Sequence, residues 1–240
     1  MILFDGHDLC ELFLCGTPDF KILNSEVTYY DTPGRNGALM AQRTWGVSTV
    51  EFPIAVVGNA AQRRAAFSTL GAWLNVDEPK KLVFPDTPER YYMAVPEGEV
   101  AIERGVDNEI GTLKFTLVDP IAYGKECEIT VPSGGSVTFR VDGTYSTRPT
   151  ITADAAVRKT TSPFAWRLTL DNGDYLNLAL GNNSAHALAI DCENRTSKMD
   201  NAVLLPTTSS DWFEFSPGEH TVAMTYGTGA AVIKWRERWL

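Results

Sequence analysis

The sequence predicts an all-β protein with one α-helix. Apolar and polar residues alternate along most of the chain, and turn-forming residues recur roughly every ten positions, a pattern typical of antiparallel sheet. Only one segment has the period of about 3.6 residues that marks an amphipathic helix. The length of 240 residues is compatible with one large all-β unit or with two smaller ones.

The composition favours a folded protein that is not a reader of nucleic acid. Hydrophobic residues make up 44% of the chain and charged residues 21%, which is ordinary for globular proteins and unlike disordered segments. The net charge of -9 opposes phosphate binding, which depends on clustered Lys and Arg. It does not oppose a protein through which DNA merely passes.

The start of the chain indicates a cytoplasmic folding environment. Met1 to Cys15 contains Asp5, Asp8 and Glu11 and has no basic lead-in, so we expect no signal peptide. No uninterrupted apolar run is long enough to span a bilayer, so we expect no membrane partner.

Two strands and a loop precede the helix. Val27 to Tyr30 and Ser48 to Val57 have strand character, and the stretch between them, Asp31 to Gly37, is punctuated by Gly and Pro. Residues of this kind form turns, so we expect a long hairpin with a projecting loop.

The single predicted helix runs from Asn59 to Leu74. Asn59 can cap its first turn, and Gln62, three residues later, can complete a capping box. One face is apolar and should lie against a sheet. Its residues are Ala66, Phe67, Leu70, Trp73 and Leu74.

After the helix the sequence predicts four more strands and then a change of domain. The strands are Lys81 to Phe84, Arg90 to Val95, Val100 to Arg104 and Gly111 to Val118. The residue pattern changes after Asp119-Pro120, where a segment without helical periodicity begins. We therefore expect domains at 1–126 and 127–240. Short strands separated by Gly-, Asn- and Asp-containing turns predict a β-sandwich or barrel in the second domain.

The residues that usually carry chemistry are sparse. Cys10, Cys15, Cys127 and Cys192 lack C-x-x-C pairing, so we expect four buried free thiols. No Gly-x-Ser-x-Gly elbow is present, and nothing selects a pair of catalytic carboxylates. The acidic stretch Gly105 to Glu109 lacks the spacing of an EF-hand loop and is interpreted as a solvated hairpin tip. We therefore expect no enzyme, no cofactor and no metal.

Aromatic residues of the second half leave two interpretations open. They can fill the core of a sandwich, or they can form platforms on which sugar rings stack; the core interpretation is favoured because a two-sheet domain needs large buried anchors. These residues are Trp166, Trp212, Trp235, Trp239, Tyr145, Tyr175 and Tyr226.

An ordered set of short motifs resembles the distal tail proteins of long-tailed bacteriophages. In the first half they are Phe4-Asp5-Gly6, Thr32-Pro33-Gly34-Arg35-Asn36-Gly37, Trp73-Leu74, Leu82-Val83-Phe84, Arg90-Tyr91-Tyr92, Gly111 to Phe115 and Asp119-Pro120 with Tyr123-Gly124. In the second half they are Arg148 to Ile151, Leu188 to Asp191, Ser216 to His220 and Ile233 to Leu240. Each motif is weak alone, but their order is fairly specific.

The resemblance implies a fold for each half and a role in assembly. It implies a tail-tube-like β-sandwich ring domain at the N-terminus and a galectin-like β-sandwich at the C-terminus. We expect the last strand of the chain to return to the N-terminal domain. It also implies a structural tail-tip protein that forms a ring, usually of six copies. A cyclic heterologous interface of this kind joins two different patches of each subunit and closes on itself.

The resemblance further implies partners and a location. The ring would join the tail tube protein to the hub or tail-associated lysin, with receptor-binding proteins attached in some members, while DNA passes through its channel without specific binding. The protein would reside at the tail tip of the virion and in the host cytoplasm during assembly. The expected interface residues lie on the hairpin: Tyr29, Tyr30, Pro33, Gly34, Arg35 and Asn36. The alternative function is a carbohydrate-binding module for a host cell-wall polysaccharide.

Overall fold

The chain divides into two compact units. The computed structural model describes residues 1–21, 24–98, 100, 102–104, 108–159, 165–207 and 209–240. One unit comprises Met1–Tyr123 together with Leu240, and the other comprises Gly124–Trp239. This division falls just before the boundary expected from the sequence. The last strand belongs to the second unit, and Leu240 alone is grouped with the first.

The first unit is an antiparallel sheet with one long helix. In chain order its elements are β1 (Leu3–Phe4), β2 (His7–Asp8), α1 (Leu9–Leu12), β3 (Leu14–Cys15), β4 (Asp19–Lys21), β5 (Ser25–Asp31), β6 (Ala38–Trp45), β7 (Ser48–Val57), α2 (Ala60–Leu74), β8 (Lys80–Val83), β9 (Tyr92–Pro96), β10 (Ile102–Arg104) and β11 (Asn108–Leu117). In the described part of this unit, nine strands join in the order β2-β1-β8-β9-β11-β7-β3, with β10 beside β11 and β4 beside β7. The strands expected after the helix are present as β8 to β11, with ends shifted by a few residues.

The longest ladder of this sheet, β7 with β11, builds the core of the first unit. The two strands pair along their full lengths, with Phe52 opposite Leu113 and Val50 opposite Phe115. Alternate residues of both strands are buried, as the two-residue period of a strand requires. The rings of Phe52 and Phe115 stack with centroids 5.9 Å apart, and Phe4 packs on Phe115 at 4.9 Å.

Helix α2 begins and is capped as the sequence predicts. The Asn59 side chain accepts hydrogen bonds from the backbone N–H groups of Ala61 and Gln62, both at 3.0 Å. The Gln62 side chain accepts one in return from the Asn59 backbone at 3.0 Å, which completes the capping box. The expected apolar face is confirmed, since Ala66 and Leu70 are buried in the core and the other three residues pack against it.

The one-turn helix α1 was not expected from the sequence. Its cap is Asp8, whose carboxylate oxygen Oδ1 accepts the backbone N–H groups of Cys10 and Ile2 at 3.0 and 3.2 Å. A polar residue in this position satisfies amides that a helix of four residues leaves unpaired.

The predicted hairpin is present but pairs different strands. Its second strand is β6, whereas Ser48–Val57 forms β7 of the main sheet. The prediction was wrong on this point because residues 38–45 show little apolar-polar alternation; β6 is exposed along nearly its whole length, so no buried face imposes that pattern.

The second unit consists of two antiparallel sheets. Its strands are β12 (Ala122–Val131, which begins in the first unit), β13 (Ser136–Val141), β14 (Thr150–Ala156), β15 (Trp166–Leu170), β16 (Tyr175–Leu178), β17 (His186–Asp191), β18 (Thr196–Met199), β19 (Ala202–Val203), β20 (Gly218–Tyr226) and β21 (Ala231–Trp239). Over the described residues the orders are β12-β21-β14-β17-β18-β19 and β13-β20-β15-β16. The expected all-β architecture with one long helix is thus confirmed, while the likenesses to tail-tube and galectin folds stay predictions.

A single apolar core fills the second unit. It contains residues from both sheets, including Ile151 and Ile233 from the larger sheet and Trp166 and Leu168 from the smaller. Phe213 and Phe215 are fully buried in the same cluster. In the described parts of the whole chain, no helix is long and apolar enough to cross a membrane.

Candidate interface hairpin

The hairpin β5–β6 carries exposed apolar side chains on both of its faces. Tyr29 lies opposite Met40 and Tyr30 lies opposite Leu39. Opposite residues of an antiparallel pair point to the same side, and successive residues to opposite sides, so each face presents one of these pairs. The exposed fractions are 61% for Tyr29, 64% for Met40, 66% for Tyr30 and 44% for Leu39.

The tip of the hairpin is a turn defined by Pro33 and Gly34. The Arg35 backbone N–H donates to the Thr32 carbonyl at 3.1 Å, and Gly34 has φ of +83°. Pro followed by a residue with positive φ is typical of a type II turn. An added Cβ at Gly34 would meet nothing within 4 Å, so the backbone conformation, and not crowding, calls for glycine here.

The base of the hairpin is fixed by short-range contacts. Asn24 accepts the Gly46 N–H on its carbonyl at 2.7 Å and donates from its side chain to the Val47 carbonyl at 3.2 Å. The Arg43 guanidinium lies 4.3 Å from the centre of the Trp45 ring. A two-stranded ribbon gains little stability alone, so a ribbon with a fixed base and uncovered apolar faces is suited to packing against another molecule.

The structure therefore places all six predicted interface residues on one element. Tyr29 and Tyr30 are on β5, and Pro33, Gly34, Arg35 and Asn36 are at the exposed tip. The sequence prediction did not include Leu39 and Met40, which are exposed on the same hairpin. A signal was available, since apolar residues that follow a turn tend to face those that precede it.

The residue types that usually carry chemistry form no metal-binding cluster in the described part of the chain. Among the described residues, no group of three or more His, Cys, Asp or Glu could hold a metal ion. The cysteines are free, but the expectation that all four are buried was wrong, because only Cys192 is; Cys10, Cys15 and Cys127 are half-buried. Of the acidic stretch 105–109, residues 105–107 lie outside the described residues and Glu109 is on β11.

His186 is held as a structural residue. Its Nδ1 lies 2.6 Å from Asp200 Oδ2 and its Nε2 lies 2.9 Å from Asn182 Oδ1. The hydrogen bond from His186 lowers the pKa of Asp200, and the Ala187 backbone N–H, which donates to the same carboxylate, acts in the same direction. Both ring nitrogens are thus engaged within the fold.

Comparison with known proteins covers both units of the chain. A family model described as the phage tail protein RIFT-related domain matches residues 12–117, and one described as the Siphovirus-type tail component, C-terminal domain, matches residues 142–239. The distal tail protein of Bacillus phage SPP1 is 25% identical over 233 residues, which span 92% of this chain and 88% of that protein. The chain belongs to the distal tail protein family.

One solved structure shares the fold of the whole chain. The crystal structure of the SPP1 Dit protein, described as a paradigm of the hub adsorption apparatus in phages infecting Gram-positive bacteria, matches with a TM-score of 0.80. It is 21% identical and the match covers 100% of this chain and 98% of that one. The phage p2 baseplate in its activated conformation with Sr matches with a TM-score of 0.44 and 8% identity, over 92% of this chain and 90% of that one.

Two of the motifs that suggested the distal tail protein family meet in the structure. Tyr91 and Tyr123 exchange backbone hydrogen bonds at 2.9 and 2.8 Å, and their rings stack with centroids 5.6 Å apart. The Tyr123 hydroxyl donates to Asp119 Oδ2, while Oδ1 of the same carboxylate accepts the Ile121 N–H at 3.2 Å. In this family member the late D-P-x-x-Y segment therefore closes a turn and attaches it to the R-Y-Y segment.

Proposed function

We propose that this protein is a structural subunit of the phage tail tip that assembles into a ring, with six copies as the expected number. The proposal rests on family membership across both units and on the hairpin. The relative from phage SPP1 is named a distal tail protein, and its structure is described as a paradigm of the hub adsorption apparatus. No catalytic step is part of the proposed role.

The hairpin is the observation that carries ring formation. Its two faces each expose an apolar pair, Tyr29 with Met40 and Tyr30 with Leu39. A subunit in a cyclic ring has a neighbour on each side, and each neighbour meets a different patch. A ribbon that needs cover on both faces fits such a position better than it fits a two-fold dimer, in which one patch meets its own copy.

The ring would act as an adaptor between larger parts of the tail. In this proposal one face binds the tail tube protein and the other binds the hub or tail-associated lysin, while receptor-binding proteins attach to the second unit. The channel passes DNA, and the net charge of -9 disfavours sticking of its phosphates. The protein would be assembled in the host cytoplasm and carried at the tail tip of the virion.

Light scattering on the purified protein, with negative-stain imaging of the same sample, tests ring formation. We expect particles with a central hole and a mass that is a multiple of 26.4 kDa. The double variant Y30S/M40S removes an apolar side chain from each face of the hairpin, so it should shift the protein to monomer while leaving its circular dichroism unchanged.

A matched control separates the hairpin from apolar surface in general. The variant V203S/L205S removes two apolar side chains that are 77% and 78% exposed in the second unit. It should leave the rings intact. Rings that survive Y30S/M40S would remove the hairpin from the interface, and a wild-type monomer at every concentration would contradict self-assembly of the isolated protein.

A further inference from the structure

The smaller sheet of the second unit carries a stacked cluster of aromatic and cationic side chains on its outer face. The Arg167 guanidinium lies between two tyrosine rings, 4.3 Å from the centre of Tyr175 and 4.8 Å from the centre of Tyr226. Lys159 adds a second cation, with its Nζ 4.9 Å from the centre of the Tyr226 ring. These side chains define the Arg167 cluster.

An irregularity in the ladder produces this arrangement. Arg167 of β15 pairs with Tyr226 of β20, yet the next residue, Leu168, pairs with Met224, so Thr225 is an extra residue on β20. A bulge of this kind re-aims side chains. Leu168 and Met224 are buried in the core, whereas Tyr226 joins Arg167 on the outer face.

The arginine is positioned through its Nε atom, while its two terminal nitrogens make no hydrogen bond to any of the described residues and can bind a ligand. Nε donates to Asn177 Oδ1 at 3.2 Å. Asn177 is itself buried and donates from its amide to the Thr207 hydroxyl at 3.2 Å and from its backbone to the Ser210 hydroxyl at 2.9 Å. Two ring faces and a fixed amide therefore hold the guanidinium in one orientation before any ligand arrives.

The two cations of this cluster have no carboxylate partner among the described residues, unlike five other cations of the unit. Ion pairs with Asp or Glu are made by Arg140, Arg148, Lys234, Arg236 and Arg238. No carboxylate of the described residues lies within ion-pair distance of Arg167 or Lys159, and the undescribed residues of this unit, 160–164 and 208, include no acid in their sequence. In a chain with a net charge of -9, two neighbouring uncompensated cations form a local site for an anion.

We propose that the Arg167 cluster binds an anionic carbohydrate, with its phosphate or carboxylate group on Arg167 and Lys159 and its sugar or polyol carbons against the tyrosine rings. A guanidinium pairs with either oxyanion through two parallel hydrogen bonds. Tyrosine rings offer an apolar surface with a polar edge, which suits a sugar. The site lies within the second unit and does not depend on ring formation.

The rest of this sheet face favours a carbohydrate over an acidic protein partner. Hydroxyl groups are paired across its strands, Thr169 with Thr225 at 2.9 Å and Thr138 with Thr221 at 2.8 Å. The strongly exposed apolar side chains of the described part of this unit lie elsewhere, at Val203 and Leu205. Protein interfaces usually have an apolar centre, whereas a flat face of hydroxyl, amide and tyrosine groups resembles a sugar-binding surface.

Calorimetric titration of the full-length protein tests the proposal with three polymers. These are poly(glycerol phosphate), polygalacturonate and uncharged dextran. We expect one or both anionic polymers to bind and dextran not to bind, and the comparison of the first two assigns the site to phosphate or to carboxylate. R167Q should weaken binding at least tenfold, since a charge-assisted hydrogen bond is lost, and K159Q should weaken it several-fold.

Controls separate this site from general electrostatics and from misfolding. Arg140 is on β13 of the same sheet, is exposed and pairs with Asp142, so R140Q removes an equal charge outside the cluster and should leave affinity unchanged. Lys159 is exposed, so K159Q tests the site even if R167Q unfolds the protein. The proposal would be overturned if neither anionic polymer bound, if dextran bound as tightly as the anionic polymers, or if R140Q and R167Q lost the same affinity. Failure of both anionic polymers to bind would leave an acidic protein as the occupant.

Discussion

The Tyr123 hydroxyl closes the last turn of the first unit by donating to the half-buried Asp119 carboxylate. A hydrogen bond to a charged group contributes about 1.5–3 kcal/mol, and partial exposure places this one near the lower end. The variant Y123F keeps the ring stacked on Tyr91 and removes only the hydroxyl. It should lower the free energy of unfolding by about 1.5 kcal/mol, as measured by urea denaturation.

The control for this variant is Y29F, which removes a hydroxyl from a ring that is 61% exposed on the hairpin. It should leave the unfolding free energy unchanged within about 0.5 kcal/mol. Equal stability of Y123F and the wild type would mean that the D-P-x-x-Y turn is held by its backbone and ring contacts alone.

Two thiols should resist alkylation in the native protein. Burial raises the pKa of Cys192 to about 12, and burial together with the neighbouring Cys10 thiol raises the pKa of Cys15 to about 12. Only the thiolate reacts, so at pH 8 their reactive fractions should be roughly a thousandfold below that of a cysteine of ordinary pKa near 9. Raising the pH toward 12 should restore reactivity.

Peptide mapping after iodoacetamide treatment measures this directly. Unfolded protein in urea provides the reference rate for each cysteine. If Cys192 is labelled in the native state as fast as in urea, the second unit opens on the time scale of labelling and its core is less stable than its packing implies.

The sequence predicted individual surface residues better than it predicted residues brought together by the fold. Pro33 and Gly34 reveal the turn because their backbone preferences are local. The Arg167 cluster could not be predicted, because Arg167 and Tyr226 are far apart in the chain and share a face only through the bulge at Thr225. Tyr175 and Tyr226 were favoured as core residues, yet both are half-buried on the outer face.

Helix α2 shows how far local signals extend at the scale of an element. Its start, capping box and apolar face follow from short-range spacing, and each is present in the structure. The strands of the hairpin follow no such rule. With neither face buried, β6 lacks the alternation that identifies a strand. The sequence therefore predicts the more regular segment Ser48–Val57 as the partner of β5.

The variant N59A tests the capping box of α2. It removes both hydrogen bonds that the Asn59 side chain accepts, from Ala61 and Gln62. Loss of such a cap costs about 1 kcal/mol, so the thermal midpoint of the first unit should fall by several degrees. S68A, at an exposed position inside the same helix, is the control and should be neutral or slightly stabilising because alanine is the better helix former. An unchanged midpoint in N59A would show that packing against the sheet alone fixes the helix start.

At the scale of the whole molecule, each unit has a core of its own. The buried residues separate into two clusters, one within the first unit and one within the second. The change in the character of the sequence near Asp119-Pro120 predicted a division. Its position depends on β12, a strand that begins after Pro120, crosses the division between Tyr123 and Gly124 and pairs with the distant β21. Such a long-range pairing leaves no local mark in the sequence.

A fragment comprising residues 124–240 should therefore fold by itself. It retains both sheets, the apolar core and the contact of Gly124 with Trp239, where an added Cβ would lie 2.2 Å from a ring carbon. A shorter fragment, 132–240, lacks β12, and with it the fully buried Val131 and the carboxylates of Glu126 and Glu128 that pair with the last strand. Thermal unfolding followed by circular dichroism should show one cooperative transition for the longer fragment and a much lower or absent one for the shorter. If both fragments unfold at the same temperature, β12 does not contribute to the stability of the second unit. If neither fragment folds, the second unit depends on the first for its stability.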